Sequence, residues 1–405
     1  MEHHPHLVIG AGISGLGAAY FAARAGVPTL VLERAPRLGG CMHTHVFREL
    51  DDFWLEAGSH SCFNSYGTLL EILDALEQLP RLTAKAGASY LLWGGGRRRS
   101  IVAALHPLEL LWSLPRLVRL DKNTCTVAEY YGRGLGRRNY ENVFGPAFRS
   151  VICQPADDFP AAALFRKKPR RKDVRRSFTL PGGLNEIPAL LAAQPGVKVR
   201  LDQRIAHLER EGAAFVARLE DGSVLCADAL TLAVPPDAAA RLLAGIAPAA
   251  AALVGRIGVA EIDTLLLAFE KTRLIVPRLA GLISVDGPFW SAVSRDFLDH
   301  PRYRGFAFHF PGGCYDHDTR LAAACAALGV APTAIGAQAL VANRLPSLRR
   351  GHQTLIAELD RMLAGQRLAV TGNWFLGVSI EDCLTRSHSE HRRLFGDAAQ
   401  SATTA

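Results

Sequence analysis

The chain contains no Cys-x-x-Cys pair and no His-Glu-x-x-His segment, although it has eight cysteines and fourteen histidines. This spacing excludes the common structural zinc sites, and we expect no bound metal. The cysteines are also too scattered for a disulfide framework, so we expect free thiols in a reducing compartment. The first residues lack the basic and apolar regions of a secretory signal peptide, and we expect a cytoplasmic protein.

Long uninterrupted apolar runs are also missing. No segment reaches the roughly 18 apolar residues that a membrane-spanning helix needs. The nearest one, an alanine-rich run over residues 238–258, is interrupted by Arg241 and Arg256. Of the 405 residues, 49% are apolar and 21% are charged, which is typical of a folded protein and excludes wholesale disorder. The length favours two domains.

Acidic residues are in the minority, and the chain carries a net charge of +8. Most of the basic excess lies in residues 166–176, which hold eight basic residues and one acid. This run has no interleaved aromatic residues and lies in no known nucleic-acid-binding module, so we expect no nucleic-acid partner. A solvated loop, an anionic lipid surface and an acidic substrate remain as alternative explanations for it.

The first forty residues carry the most informative pattern. The apolar strand His6–Ile9 runs into the turn Gly10–Gly15, which reads GAGISG and opens a helix of small and apolar residues. A second strand, Thr29–Leu32, ends at the acid Glu33. Strand, GxGxxG turn, helix, strand and terminal acid, in this order and spacing, are typical of a Rossmann-type dinucleotide site.

The residue types in this turn follow from the chemistry of phosphate binding. Gly10 permits the tight turn, Gly12 lets the backbone approach a pyrophosphate, and Gly15 lets the helix pack closely on the strand. The N–H groups and the positive dipole end at the start of the helix attract the phosphates. Glu33 can accept hydrogen bonds from ribose hydroxyls.

The residues after Glu33 resemble the extended FAD fingerprint of the amine oxidase and protoporphyrinogen oxidase superfamily. Residues 31–40 read VLERAPRLGG, and in that superfamily the Gly-Gly pair returns a loop over the pyrophosphate. Residues 56–60, EAGSH, resemble its acid-x-Gly motif beneath the flavin. Many members have Arg after Gly-Gly, where this chain has Cys41. Weaker neutralisation of the phosphates, and supply of the missing charge by Arg34 or Arg37, are the two alternatives.

The C-terminal segment resembles the closing motif of protoporphyrinogen oxidases. Residues 372–383 read GNWFLGVSIEDC. In the family, the Asn contacts the ribityl-phosphate chain, and the Gly-Val pair opens a helix that faces flavin N1 and O2. The resemblance also places the backbone of Ile205 near adenine. The residues thereby expected to bind FAD, without a covalent bond, are Gly10, Gly12, Ile13, Ser14, Gly15, Glu33, Arg34, Gly39, Gly40, Cys41, Gly58, Ser59, His60, Ile205, Gly372, Asn373, Gly377, Val378 and Ser379.

The resemblance implies an α/β (α+β) fold. A Rossmann-like FAD-binding domain, of the type called GR2, would carry an inserted substrate domain of mixed sheet and helices. The expected segments are residues 1–78, 177–240 and 346–405 for the FAD domain, 79–176 for a helical insertion, and 241–345 for the sheet-rich substrate domain.

An apolar stretch with a tryptophan lies in the helical insertion. Residues 106–115 read HPLELLWSLP, and in related enzymes this region dips into a membrane surface. A buried core helix and an interfacial segment that enters the membrane or admits substrate are the two alternatives. The second alternative would place the protein at the inner face of the membrane.

Candidate substrate and catalytic residues are less well defined. An apolar pocket against the flavin is expected to include Trp374, Phe375, Trp290, Phe308 and Phe310, although each could equally belong to the core. Catalytic residues remain unknown. In amine oxidases of the superfamily a Lys, bridged by water to flavin N5, stands where this chain has Thr264. The remaining candidates are Asp263, with a surface acid as the alternative, and His309, with a structural histidine as the alternative.

The resemblance implies an FAD-dependent oxidoreductase that removes hydride from C–H bonds of an apolar, heterocyclic small molecule, with O2 as electron acceptor. Oxidation of protoporphyrinogen or coproporphyrinogen is the leading hypothesis. Ser89 does not fit this hypothesis. At the corresponding position family members carry an Arg, which is proposed to bind a propionate group of the substrate. The alternatives are an oxidase or desaturase of a specialised metabolite, an amine oxidase, and a flavin-binding protein without turnover. A homodimer remains open as well.

Overall fold

Two seven-stranded sheets, one largely parallel and one largely antiparallel, organise the protein. The computed structural model describes residues 2–85 and 87–396. The predicted FAD-domain segment 346–405 therefore extends beyond the described residues at its end, and the predicted segments 1–78 and 79–176 each include one residue outside them.

The strands are short in the first half of the chain and longer in the second. In chain order they are β1 Glu2–Ile9, β2 Thr29–Leu32, β3 Thr44–Phe47, β4 Phe53–Glu56, β5 Cys62–Phe63, β6 Thr83–Ala84, β7 Tyr90–Gly94, β8 Arg97–Ser100, β9 Ser177–Thr179, β10 Val197–Arg200, β11 Ile205–Glu211, β12 Ala214–Leu219, β13 Val224–Leu232, β14 Gly258–Glu270, β15 Gly281–Ser284, β16 Ser291–Ser294, β17 Tyr303–Pro311, β18 Ile335–Ser347 and β19 Leu368–Val370.

The helices lie between and after these strands, joined in places by short 3-10 turns. In chain order they are α1 Ile13–Arg24, α2 Gly67–Ala75, α3 Pro107–Ser113, α4 Val127–Leu135, α5 Arg137–Asn139, α6 Gly145–Ile152, α7 Glu186–Ala192, α8 Pro236–Leu243, α9 Pro248–Val254, α10 His317–Leu328, α11 His352–Leu363 and α12 Ile380–Phe395.

The first sheet has the strand order β10-β2-β1-β13-β12-β11, and β19 pairs with the end of β13. The pairs among β10, β2, β1, β13 and β19 are parallel, whereas β12 and β11 continue the sheet in antiparallel fashion. Leu7 and Ile9 pack among α8, α9 and α11, and Val8 packs on the opposite face among α1, α7 and α12. Both faces are therefore covered, which explains the continuous apolar runs of these strands.

The second sheet has the order β18-β14-β17-β16-β15-β7-β8. Its two faces serve different purposes, because successive side chains of a strand point to opposite sides. Leu265 and Leu267 of β14 belong to a core that includes residues of α10. Leu266 packs in the opposite direction, against β4 and its neighbours. This second face is the one that meets the FAD domain.

Helices α1 and α12 cross closely beside the first sheet. A Cβ atom at Gly17 would lie 2.6 Å from Cδ2 of Leu384, so the close approach depends on a glycine in α1. At the same crossing, the Ser387 hydroxyl donates to the backbone carbonyl of Ser14 at 2.7 Å. The two chain segments with predicted flavin motifs are thus held together directly.

The predicted Rossmann-type fold and its strands are confirmed, and two details of the predicted segments need correction. The segment 79–176 is not wholly helical, because its hairpin β7–β8 pairs with β15 and completes the second sheet. The segment 241–345 does not begin with the substrate sheet, since α9 packs into the core of the first sheet. Apolar side chains on α9 at helical spacing, facing that sheet, explain the difference.

Candidate functional site

The glycine turn follows β1 at the carboxyl edge of the first sheet, where ligands of open α/β sheets bind. Gly10 has a φ of 105°, and a Cβ there would lie 2.4 Å from the carbonyl oxygen of Ala233. A Cβ at Gly15 would lie 1.9 Å from the carbonyl oxygen of Gly10. Neither position can hold a side chain, so the turn brings bare backbone to the start of α1.

The first residues of α1, Ile13 and Ser14, present the amide groups of the first helical turn. Such groups have no acceptor within the helix and carry the positive end of its dipole. Gly12 is the N-cap and makes no side-chain contact. This arrangement can hold the negative charge of a pyrophosphate without any basic side chain.

The second glycine pair lies directly on the first turn. Gly39 forms a parallel bridge with Gly12 and donates its N–H to the Ala11 carbonyl at 2.9 Å. The Arg37 guanidinium donates to the carbonyl of Gly40 at 2.9 Å, whereas Arg34 is exposed. Of the two arginines considered for phosphate charge, Arg37 is therefore the one beside the loop.

Glu33 ends β2 next to this loop. Its carboxylate accepts the N–H of Ala11 at 2.8 Å and the N–H of Ala35 at 2.9 Å, one on each oxygen. Each oxygen keeps a further lone pair, so the carboxylate can still accept from ribose hydroxyls. Gln203 donates its N–H to the Glu33 carbonyl at 2.8 Å, which brings the start of β11 and Ile205 near the same site.

The segment that resembles the acid-x-Gly motif runs beside Cys41. Ser59 donates its N–H to the Cys41 carbonyl at 3.2 Å, and a Cβ at Gly58 would lie 1.9 Å from that same oxygen. The Cys41 thiol donates to the carbonyl of Arg344 at 3.6 Å, and burial raises its pKa. A protonated, enclosed thiol of this kind agrees with noncovalent flavin binding.

The C-terminal motif reaches the same edge of the sheet because β19 runs parallel to β13. Gly372 and Asn373 follow β19, and Gly377 and Val378 lead into α12. Ser379 caps this helix, since its hydroxyl accepts the N–H of Asp382 at 3.1 Å. The N-terminus of α12 therefore forms a second positive dipole end close to the glycine turn.

Part of the basic run is ordered against this helix rather than solvated. Lys168 forms an ion pair of 2.7 Å with Asp382 at the start of α12. Arg171 pairs with Asp74 on α2 at 3.0 Å. The run thus crosses the outside of the FAD domain, and its charge is partly neutralised there.

Four of the five predicted substrate residues lie in cores instead. Trp374 is fully buried, stacks on Phe375 at 4.1 Å and donates Nε1–H to the Val234 carbonyl at 3.2 Å. Phe308 and Phe310 point into the core beneath α10, on the face opposite His309. Trp290 is the exception: it is half-buried, with the Arg149 guanidinium 5.9 Å from its ring. The position of an aromatic residue in a motif therefore does not tell whether it lines a substrate pocket or packs in a core.

The three catalytic candidates lie on opposite faces of the second sheet. Asp263 is bound to Arg320 at 2.7 Å and accepts the N–H of Gly313 at 3.0 Å, so it ties α10 and the end of β17 to β14 and is not available as a base. Thr264 and His309 lie on the other face, paired across β14 and β17. There, His309 contacts His60 of the acid-x-Gly segment, with 2.8 Å between the Nε2 atoms.

Two ionisable groups near His60 were not among the candidates. The Lys85 ammonium donates to the His60 carbonyl at 2.8 Å and to the Ser61 hydroxyl at 2.6 Å, and burial lowers its pKa to about 8. Glu56 accepts the N–H of Leu184 at 2.7 Å, and burial raises its pKa to about 7. No sequence signal marks Lys85, because it lies outside every motif.

These features together fit a bound FAD. The glycine turn leaves space that side chains would fill, and Arg37 and two helix N-termini supply positive potential for the phosphates and the reduced ring. When bound, FAD supplies a two-electron acceptor for C–H oxidation. The glycine turn, the Gly39-Gly40 loop and the start of α12 are the parts of the protein that would hold it.

Comparison with known families supports this assignment. Residues 8–76 match the family described as NAD(P)-binding Rossmann-like domain, and residues 126–279 match the family described as flavin containing amine oxidoreductase. The latter description confirms the predicted flavin class of cofactor.

A curated relative is the coproporphyrinogen III oxidase of Mycobacterium tuberculosis (strain ATCC 25618 / H37Rv). It is 26% identical over 297 residues, which cover 61% of this chain and 62% of the relative. The chain thus spans less than two thirds of that relative's length.

Two solved structures share the fold across almost the whole chain. One is a protein provisionally named protoporphyrinogen oxidase from Exiguobacterium sp. 255-15, with a TM-score of 0.77, 17% identity, and coverage of 96% of this chain and 98% of that one. The other is the CLA-producing fatty acid isomerase from P. acnes, with a TM-score of 0.72, 16% identity, and coverage of 97% and 99%. The family matches and the curated relative confirm the predicted resemblance to the amine oxidase and protoporphyrinogen oxidase superfamily, and together with the glycine turn they indicate an FAD-dependent oxidoreductase.

Proposed function

We propose that this protein oxidises C–H bonds of an apolar nitrogen heterocycle, with a porphyrinogen as substrate and O2 as electron acceptor. The observation that carries the proposal is the contact between the two parts of the fold. The sheet face with Thr264 and His309 meets the loop with His60, and Ser59 of that loop donates its N–H to the carbonyl of Cys41, directly after the second glycine pair. The coproporphyrinogen III oxidase relative supports the choice of substrate.

Position 264 argues against an amine as substrate. Amine oxidases of the superfamily carry a Lys there, whereas the Thr264 hydroxyl is hydrogen-bonded to Nδ1 of His309 at 3.0 Å. Positive charge suited to a carboxylate-bearing substrate lies near β7, where Arg97, Arg98 and Arg99 of β8 are exposed. An oxidase or desaturase of another heterocycle is the second candidate, since the same fold serves an isomerase of fatty acids.

The experiment compares substrates under air. Purified protein is given coproporphyrinogen III, protoporphyrinogen IX, putrescine or cyclohexylamine, and porphyrin fluorescence and hydrogen peroxide are recorded. We expect fluorescence and peroxide with at least one porphyrinogen and neither signal with the amines. Peroxide with an amine alone would contradict the proposal and would favour an amine oxidase. Porphyrin without peroxide would contradict O2 as acceptor.

We propose in addition that α3 and the turn after it dock on an anionic membrane surface. Val102, Leu108, Trp112 and Val118 are 77%, 74%, 79% and 90% exposed. Arg116 and Arg119 are exposed in the same segment. Apolar side chains flanked by arginines suit an anionic interface. Throughout residues 2–85 and 87–396, no helix is long and apolar enough to cross a bilayer.

Replacement of Trp112 and Leu108 by Ser is expected to weaken binding to phosphatidylglycerol vesicles by roughly tenfold or more, because two large apolar side chains leave the interface. The measurement is vesicle flotation of the wild type and variant. The matched control is Ile275→Ser, which removes a side chain that is 89% exposed elsewhere. If the wild type does not float with the vesicles but forms a dimer that the double variant cannot form, the membrane proposal is contradicted. A second copy of the chain would then be the partner of this surface.

A further inference from the structure

A pair of histidines joins the two parts of the fold beside the proposed flavin site. Nε2 of His60 lies 2.8 Å from Nε2 of His309, and Nδ1 of His309 lies 3.0 Å from Oγ1 of Thr264. Thr264 is fully buried, His309 is buried and His60 is half-buried. The three side chains therefore form one hydrogen-bonded series from the interior to an accessible ring.

The proton positions in this series limit what it can do. Two imidazole nitrogens at this distance share a single proton, because one must donate and the other must accept. Asn343 donates to Oγ1 of Thr264 at 3.4 Å and to the Ala57 carbonyl at 2.8 Å. In the arrangement that we infer, His60 Nε2 donates to His309, and His309 Nδ1 donates to Thr264.

This arrangement leaves Nδ1 of His60 with an open lone pair. In the part of the chain that the structure describes, that nitrogen has no hydrogen-bond partner, and it is not among the enclosed unpaired atoms. A base must present such a lone pair to the reacting group. His309 cannot fill that role, because both of its ring nitrogens are engaged.

The surroundings keep both rings neutral. Burial lowers the pKa of His309 to about 4, and burial, His309 and Lys85 lower the pKa of His60 well below its usual range. Lys85 is the charged group closest to the pair, through its bond to the His60 carbonyl. Glu56 is the acid that faces Lys85. At neutral pH both rings are therefore uncharged, and Nδ1 of His60 keeps its lone pair.

We propose that His60 is the base that takes the nitrogen-bound proton from the substrate, with Thr264 and His309 as positioning residues. The inference rests on the proposed function. When an H–C–N–H unit becomes C=N, the carbon-bound hydrogen leaves as hydride with both bond electrons to the flavin-type oxidant. The nitrogen-bound hydrogen leaves as a proton and binds Nδ1 of His60. The bond from His60 Nε2 to His309 then becomes charge-assisted and stabilises the imidazolium.

Histidine NMR of the flavin-loaded protein, without substrate, tests the pair directly. With 15N-labelled histidine, the wild type should show coupling across the Nε2–Nε2 hydrogen bond, and His60→Gln and His309→Gln should each remove it. On acidification, Nδ1 of His60 should take the proton while that hydrogen bond persists. First protonation on His309, or no coupling at neutral pH, would overturn the proposal.

Rapid kinetics under anaerobic conditions tests the role of the pair, with coproporphyrinogen III as the probe. We expect His60→Gln and His309→Gln to slow flavin reduction, measured per bound flavin, by about 100-fold or more, and Thr264→Val to change the pH profile with a smaller loss. The control is His317→Gln, an exposed position on α10. A wild-type rate and pH profile in His60→Gln would contradict the proposal. If coproporphyrinogen III does not reduce the flavin of the wild-type protein, the proposed function is contradicted. The NMR experiment still tests the hydrogen bond between His60 and His309 in that case.

Discussion

Replacement of Gly12 by Asp is expected to leave the protein folded but without flavin. A Cβ at this position would meet only the Cα of Gly40, at 4.0 Å, so a side chain fits into the protein itself. Its carboxylate would stand at the N-terminus of α1, where we place the pyrophosphate. Like charges about 4 Å apart repel by about 4 kcal/mol at a surface-like dielectric constant, which corresponds to a loss of affinity of more than about 100-fold.

The measurement is the ratio of flavin to protein absorbance after purification, together with circular dichroism. The matched control is Gly336→Asp, which adds the same carboxylate at an exposed position of β18, with the nearest atom 3.5 Å from the added Cβ. The control should keep its flavin. Wild-type flavin content in Gly12→Asp would mean that the glycine turn does not hold the cofactor.

Replacement of Arg386 by Met is expected to destabilise the protein clearly more than the loss of an exposed arginine. Arg386 is buried, donates to Asp360 at 2.7 Å and 3.2 Å, and pairs with Glu390 at 2.9 Å. Its guanidinium also lies 4.0 Å from the centre of the Phe375 ring, within the C-terminal motif. Without Arg386 the buried Glu390 keeps Arg393 as its ion-pair partner, and Asp360, whose side chain is 43% exposed, can bind water, so we expect a cost of about 2 kcal/mol from the lost charge-assisted hydrogen bonds.

Thermal unfolding and flavin content of Arg386→Met measure this effect. We expect a lower Tm and looser flavin binding, because α12 and the motif share the network. Arg137→Met is the matched control: Arg137 is 87% exposed and pairs with Glu141 at 2.7 Å, one turn along the chain. Exposed pairs of this kind contribute less than about 1 kcal/mol. Equal Tm values for the two variants would contradict the role of the network.

The sequence predicts the strand, turn and helix around the first glycine motif well because this unit is built locally. The turn Gly10–Gly15 and the acid Glu33 lie within one βαβ unit, where each residue type has a fixed task that spacing alone reveals. The sequence alone does not choose between Arg34 and Arg37 as the arginine beside the phosphates, because the directions of side chains in a loop follow no regular period. In the structure, it is the Arg37 guanidinium that donates to the Gly40 carbonyl.

The chemical side of the site is not local, and the sequence does not predict it. His60 and His309 are 249 residues apart, and only the packing of the second sheet on the first brings their rings together. Thr264 and His309 become neighbours through the pairing of β14 with β17. The prediction that Phe308 and Phe310 line the substrate pocket was wrong for the same reason. These residues alternate with His309 along one strand, and the elements packed on the sheet decide which of its two faces is the core.

The most direct test of the central claim, that this chain is an FAD-dependent oxidoreductase acting on a porphyrinogen, is an anaerobic titration of the purified protein. Its visible absorbance is recorded while coproporphyrinogen III and then protoporphyrinogen IX are added. The account predicts a flavin band that bleaches with at least one of them, returns on admission of air, and is accompanied by porphyrin fluorescence. A flavin band that neither substrate bleaches would contradict the proposed reaction, and a protein that binds no FAD would contradict the assignment of both glycine loops and the C-terminal motif.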